Sequence, residues 1–385
     1  MDLTAERLIQ ACRDDSTDAG ITIFTDLEPL AGPGAPVKPA IYAGGVYQKG
    51  KRWVTIDGES KKVDVISIDN EPSQANRLEE QLMKNREKLG LPEIVLDLSP
   101  VGPMPAHLPT KISSFQFPHR NGDAYLRDSM LDGQKFPRTE IGSRIFEATA
   151  DKPEALFEWF PQALLYGFWQ SHLGKKGNQA KLARSWVSEI VGVEPAEAET
   201  KKLGLKGDPL NLSIEEKVEF DELDYTAWTL SDKGKRLSEV GHGQVPVNPQ
   251  EAAPAPVSFS SIFQHSSVSF AALRRINAPA EGRAMLVAMG LFAHVAAFGR
   301  AFSLRSGAEL RPVEPEWSLL LEGGSEAVTP LSPDSAESLF RDCVRAAEEA
   351  GLPVGSRWPE PIVVTPADNL VKAIRGTWPA PGNGS

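Results

Sequence analysis

The run Ala284 to Phe298, AMLVAMGLFAHVAAF, contains no charged residue. A helix that is apolar all round must be enclosed, by lipid or by the rest of its own chain. The run is shorter than the ~20 residues that cross a bilayer, and it carries His294. We therefore expect a buried core helix over Glu281 to Ala301, with no membrane partner. The rest of the chain must supply its surroundings, and 385 residues suffice for one large elaborated domain or two lobes.

The pattern before that helix is mixed. MDLTAERLIQACRDD alternates charged and apolar residues, which reads as a short amphipathic helix and lacks the hydrophobic region of a secretory signal. Ile21 to Leu30 alternates like a strand, then breaks at the Gly/Pro-rich stretch Ala31 to Pro39. Val63 to Ile68 reads as a second strand. Ser73 to Leu89 has Leu78, Leu82 and Leu89 at helical spacing and stops at Gly90 and Pro92. Glu93 to Leu98 returns to strand, and Pro100 to Phe146 reads as long ordered loops. Gln162 to Gln170 has the length and polarity of a strand, and Asn178 to Ile190 the spacing of a helix ended by Gly192.

Val245 to Val257 is a Pro/Ala linker and a candidate hinge. Beyond it, Ser266 to Arg275 reads as strand, Trp317 to Leu321 as strand, and Asp334 to Ala350 as an amphipathic helix with an Asp334/Glu337 capping box and Gly351 at its end. The fold class expected is α+β. Two strand–helix–strand halves would form a modified RNA-recognition-motif, or ferredoxin-like, core with large loop and helical insertions. In this scheme residues 1–99 form the first half, 100–257 the insertion, 258–376 the second half and 377–385 a frayed tail. A doubly wound sheet would give similar local signals.

Several chemistries find no support. Cys12 and Cys343 are the only cysteines, so neither a disulfide framework nor a Cys-rich zinc site can form, and a reducing, cytoplasmic setting fits. The six histidines show no metal-binding pair of the HExxH kind. GxGxxG, P-loop and GxSxG motifs are missing, and GKKG at Gly174 lacks the phosphate-gripping spacing. The expectation is no metal, no cofactor and no catalytic machinery.

The positive signal is electrostatic. The chain carries 52 acids against 41 bases, yet Trp159 to Ser188 holds no Asp or Glu and includes Lys175, Lys176, Lys181 and Arg184. Such an island suits a focused anionic partner on a protein whose net charge of −11 repels indiscriminate polyanion binding. If a strand ends near Gln170, the glycines at 174 and 177 would let backbone N–H groups reach a phosphate at the next helix N-terminus, with His172 adding charge. The alternative is a solvated loop whose Lys181 and Arg184 pair with acids elsewhere. A second combination, Phe117, His119, Arg120, Tyr125 and Arg127, interleaves rings and cations as single-stranded RNA binding requires, although the same aromatics could simply anchor a loop. Trp159, Phe160, Phe168 and Trp169 read as core. Arg274 and Arg275 close a strand and could extend a phosphate track.

Four strings in order, SQANRLEE from Ser73, HRNGDAYLRDS from His119, EWFPQALLYGFWQSH from Glu158 and QAKLARSWVSEIVG from Gln179, with a weaker SFAALRRI from Ser269, resemble the CRISPR-associated RAMP backbone subunit of type I-G (formerly I-U) effector complexes. The resemblance is densest from Ile66 to Gly192. It implies a noncatalytic CRISPR RNA-binding subunit, copies of which line up head to tail along one guide and present it to target DNA beside other type I-G effector subunits. It also implies a thumb-like inserted loop, for which Lys111 to Arg144 is the candidate. Carried over by motif, the RNA-facing candidates are His119, Arg120, Arg127, His172, Gln179, Lys181 and Arg184. Gln74, Asn76 and Arg77 read equally well as structural. Lys175 and Lys176 rest on local charge alone, and SHLGKKGN departs from a glycine-richer turn. Two other functions compete: an RNA-processing endoribonuclease with His119 and His172 as acid/base groups, and a cytoplasmic protein-interaction scaffold.

Overall fold

The computed structural model describes residues 1–56, 58–171, 180–196, 210, 212, 216–220, 227–242 and 254–377. Its main sheet is antiparallel. The strands run in the order Phe302–Ser303, Glu309–Leu321, Gly20–Pro29, Phe259–Ser269, Trp186–Pro195, Glu59–Asp69 and Lys49–Ile56, with Gly324–Val328 paired to Glu309–Leu321. Alternation along Gly20–Pro29 sends Ile21, Ile23 and Leu27 inward and leaves Phe24 and Asp26 exposed, the period-2 signature of a half-buried strand.

A helical layer lies on the inward face: Ala280–Phe298 packs against Ala5–Cys12, Glu71–Lys84 and Pro333–Glu349, and Glu71–Lys84 also meets Trp186–Pro195. Ala280–Phe298 is the centre of this layer. Residues 282–295 are buried without exception, as an all-apolar helix demands. By length and composition it could cross a membrane, but 83% of its apolar window is buried inside the fold. Thr4 caps the first helix through Arg7 N–H, and Asn70 caps Glu71–Lys84 through Ser73 N–H. The box at the last helix uses Ser332 and Ser335 rather than Asp334 and Glu337, because the first helical residue is Pro333, two residues before the one an Asp334 cap requires.

A second, five-stranded sheet joins Ile94–Asp97 in parallel to Ile362–Pro366, flanked by Lys111–Ser113, Ser129–Leu131 and Gln134–Lys135. Ile94–Asp97 therefore does not return to the main sheet. The strand that does is Trp186–Pro195, within a stretch whose spacing imitates a helix. The apolar run after Pro161 is the helix Pro161–Tyr166, and only Phe168–Trp169 is extended. The region from Lys111 to Arg144 is not a projecting loop. Short helical turns and strands fill it, and Phe115, Phe117, Leu126 and Phe136 are buried in the main core. Of the linker, residues 254–257 are tied down: Val37 and Val257 exchange backbone bonds at 2.8 Å, and Tyr47 donates its hydroxyl to the Ala255 carbonyl at 2.8 Å.

A polar network inside the fold joins helix to sheet. The Asp69 carboxylate is fully buried and accepts from Ser73 Oγ (2.9 Å), Gln74 Nε2 (2.6 Å), Arg77 Nε (2.8 Å) and Arg305 Nη2 (2.8 Å). Burial alone would raise its pKa, but the bonds from Arg77, Gln74 and Ser73 outweigh it and hold the carboxyl below its ordinary value. Gln74 also accepts from Ser188 Oγ at 2.9 Å and Gln264 Nε2 at 2.7 Å. Gln74 and Arg77 thus serve the structure.

Candidate nucleic-acid interface

The site is built around a two-residue ribbon. Phe168–Trp169 pairs antiparallel with Lys181–Leu182, and Gln170 N–H closes onto the Ala180 carbonyl at 3.0 Å. Alternation places Phe168 and Leu182 inward and leaves Trp169 57% exposed, with Lys181 Nζ 5.6 Å from its ring centroid. Trp169 is therefore a surface ring and not a core one. Gly167 makes the ribbon possible. Its φ is +79°, and a Cβ there would stand 2.7 Å from the Leu182 carbonyl oxygen and 2.9 Å from the Arg184 nitrogen.

The segment His119–Asp123 docks behind the ribbon. Asp123 accepts the N–H groups of His119 and Tyr125, both at 2.9 Å, while His119 itself is exposed. A Cβ on Gly122 would lie 3.0 Å from Gln170 Cγ and 3.3 Å from the Trp169 carbonyl oxygen, so the two segments touch backbone to backbone. Arg120 is the clamp. Its backbone is left-handed, φ +54°; it donates to both Glu79 oxygens at 2.7 and 2.8 Å and to the Gly167 carbonyl at 2.9 Å, and lies 5.7 Å from the Tyr166 ring centroid. Burial pushes the Glu79 carboxyl up, opposed by Arg120 and by the field of Arg184. Behind this clamp the side-chain amides of Asn121 and Gln170 and the Tyr166 hydroxyl are buried without hydrogen-bond partners among the described residues.

The candidates thus divide. His119, Lys181 and Arg184 are exposed on segments that converge at the ribbon. Arg120 is buried and spent on Glu79, which corrects the expectation that it faces RNA. Arg127 is half-buried beside Asp128, donating at 3.0 and 2.6 Å. Arg274 is also structural: it donates to the carbonyls of Ala11, Arg13 and Asp18 at 2.7 to 2.9 Å, capping the end of the first helix. Arg275 is exposed. His172, Lys175, Lys176 and Gln179 lie outside the described residues. The residues that follow them, Lys181–Leu182 and Trp186–Pro195, are strands, so the expected phosphate site at a helix N-terminus is not formed there. Trp169 and Glu79 were missed as site residues. Trp169 had a signal, the inward–outward alternation of Phe168 and Trp169; Glu79 had none, since its partner lies 41 residues away.

Residues 21–196 match the family model described as CRISPR-associated protein GSU0053. The match spans just under half of the 385 residues and is a likeness to that CRISPR-associated family. It runs from the first strand of the main sheet to the end of Trp186–Pro195 and takes in every ribbon segment described above. No curated protein matches the chain.

Proposed function

We propose that this protein is a noncatalytic CRISPR-associated subunit that binds CRISPR RNA and, with further copies of itself and other type I-G effector subunits, holds the guide for pairing with target DNA. The observation that carries this reading is the convergence of the HRNGD, YGFWQ and AKLAR segments on one ribbon, where exposed Trp169 has Lys181 5.6 Å from its ring centroid and the adjoining segments carry exposed Arg184 and His119. Single-stranded RNA is bound by such surfaces because any base can stack on a ring while cations track the backbone.

The order of the central strands supports it further. Glu309–Leu321, Gly20–Pro29, Phe259–Ser269 and Trp186–Pro195 are neighbours, with Glu71–Lys84 between the first and second of them in sequence and Ala280–Phe298 between the third and fourth. Setting aside Lys49–Ile56 and Glu59–Asp69, which come between the first strand and its helix and pair at the far edge, this order resembles the β-α-β-β-α-β order of ferredoxin-like and RNA-recognition cores.

Co-expression with the CRISPR array and the neighbouring subunits tests the proposal. RNA of one discrete length, eluting with a multi-copy assembly, is the expected product. A nucleic-acid-free monomer would overturn the reading in favour of a protein-interaction scaffold, and cleavage of added RNA that His119→Ala abolishes without loss of binding would replace it with an endoribonuclease.

A further inference from the structure

The main sheet has a second face, turned away from its helical layer. Strand register places Glu316, Phe24, His265 and Glu189 in one row across it, and Asp26, Phe263 and Val191 in the next. Phe24 is 38% exposed and stacks on Phe263 with ring centroids 5.2 Å apart. Phe24 is thus an exposed ring laid over half-buried Phe263, which packs against buried Val191, and it stands among acids. The chemistry it suits follows from the charges around it.

Two acids on this face already have cations: Glu28 pairs with Arg311, and Glu189 with Arg52. A second set sits beside the phenylalanines. Between Phe24 and Asp26 the pairing with Glu309–Leu321 slips by a bulge, where Glu314 has φ +44°; Glu314 and Glu316 are both exposed. Burial, Glu316 and Glu314 in that order push the Asp26 carboxyl above its ordinary value, the mark of like charges held together. A cleft of about 340 Å³ opens on the far side of Asp26 from the rings, lined also by Glu28, Pro33, Ser261 and Val313.

We propose that this face docks an arginine-bearing segment of a protein partner, with a guanidinium over Phe24 and Phe263 and ion-paired to Asp26 and Glu316. Arginine fits better than lysine, since its planar guanidinium both stacks on rings and pairs bidentately with carboxylates. RNA does not fit, because its phosphates would meet three carboxylates and gain only the rings. The face thus has a charge preference opposite to that of the ribbon.

The full-length protein is titrated with a fluorescent arginine–glycine repeat peptide, with lysine–glycine and glutamate–glycine peptides and a single-stranded oligonucleotide RNA as comparisons. The arginine peptide should bind most tightly. Phe24→Ala should weaken it roughly fivefold, and the double variant Asp26→Asn with Glu316→Gln roughly tenfold, while RNA binding stays unchanged in both. Both sites are exposed, so the variants should fold; circular dichroism verifies this. The proposal is overturned if the arginine peptide does not bind, if it binds both variants like the parent, if Phe24→Ala weakens RNA instead, or if the face proves to be closed by concentration-dependent self-association that the peptide cannot disrupt.

Discussion

Arg120 and Glu79 form a buried, two-pronged ion pair, Nε to Oε1 at 2.7 Å and Nη2 to Oε2 at 2.8 Å, that fastens the ribbon segments to the helix Glu71–Lys84. Removing one partner strands the other charge in the interior. Arg120→Ala should therefore cost about 3–5 kcal/mol of stability, and the paired replacement Glu79→Leu with Arg120→Met should recover most of it. Urea unfolding of the three proteins measures both effects. A single substitution costing under about 1 kcal/mol would place the pair at a solvated surface instead.

Gly167 holds the ribbon against Leu182 and Arg184. Alanine there meets both a left-handed backbone and the Leu182 carbonyl 2.7 Å away, so Gly167→Ala should cost about 1–3 kcal/mol. It should also weaken RNA binding, because Trp169 and Lys181 lose their common frame. Gly323→Ala is the control: it has a left-handed φ of +81° but open space around it. Unfolding and RNA titration of the two variants should therefore differ, the control losing stability and keeping its affinity.

His294 sits among Trp186, Phe298 and Trp317 with ring centroids 5.6 to 6.0 Å away. Desolvation by burial lowers its pKa from 6.5 to about 4. In the unfolded chain the imidazole takes up a proton near pH 6.5, but in the fold it resists until about pH 4. Stability is thus complete above pH 6.5 and is lost as pH falls through that window, by up to about 3 kcal/mol. His294→Phe should flatten this slope relative to the parent. Denaturation midpoints at pH 7.5 and pH 4.5 give the comparison, and parallel losses in both proteins would contradict it.

Burial pushes both thiols, Cys12 and Cys343, up to about 12. Neither should react with a thiol reagent at pH 8 while the protein is folded, and both should react after denaturant is added. Rapid modification of the native protein would show that the Ala5–Cys12 helix opens readily.

Local signals in the chain were enough for elements with a single clear periodicity, even where their partners are distant, as Gly20 is from Ser269 and Leu320. The all-apolar Ala284–Phe298 could only be a core helix, and Ile21, Ile23 and Leu27 could only line one face of a strand. Around Trp186 the signals conflict. Ala180, Ala183, Trp186, Val187 and Ile190 fit a helical stripe, yet Trp186, Ser188 and Ile190 alternate as a strand, and pairing with Phe259–Ser269 decided between them. At Gln162 the opposite happened: Pro161 and Gly167 bracket a short helix, but its residues are uniformly buried, which hides periodicity. Charge alone did not distinguish Arg184, at the surface, from Arg120 and Arg274, whose guanidiniums serve partners 41 and more than 250 residues away.

The central claim is that the ribbon binds single-stranded RNA, and the direct measurement is affinity against salt for the parent, for Trp169→Ala and for Lys181→Ala with Arg184→Ala. The account predicts that the double variant loses affinity and that its log K versus log salt slope becomes shallower by roughly 1.4, two contacts at about 0.7 each. It predicts that Trp169→Ala loses about 1–3 kcal/mol with the slope nearly unchanged. Affinities and slopes identical to the parent in both variants would contradict it.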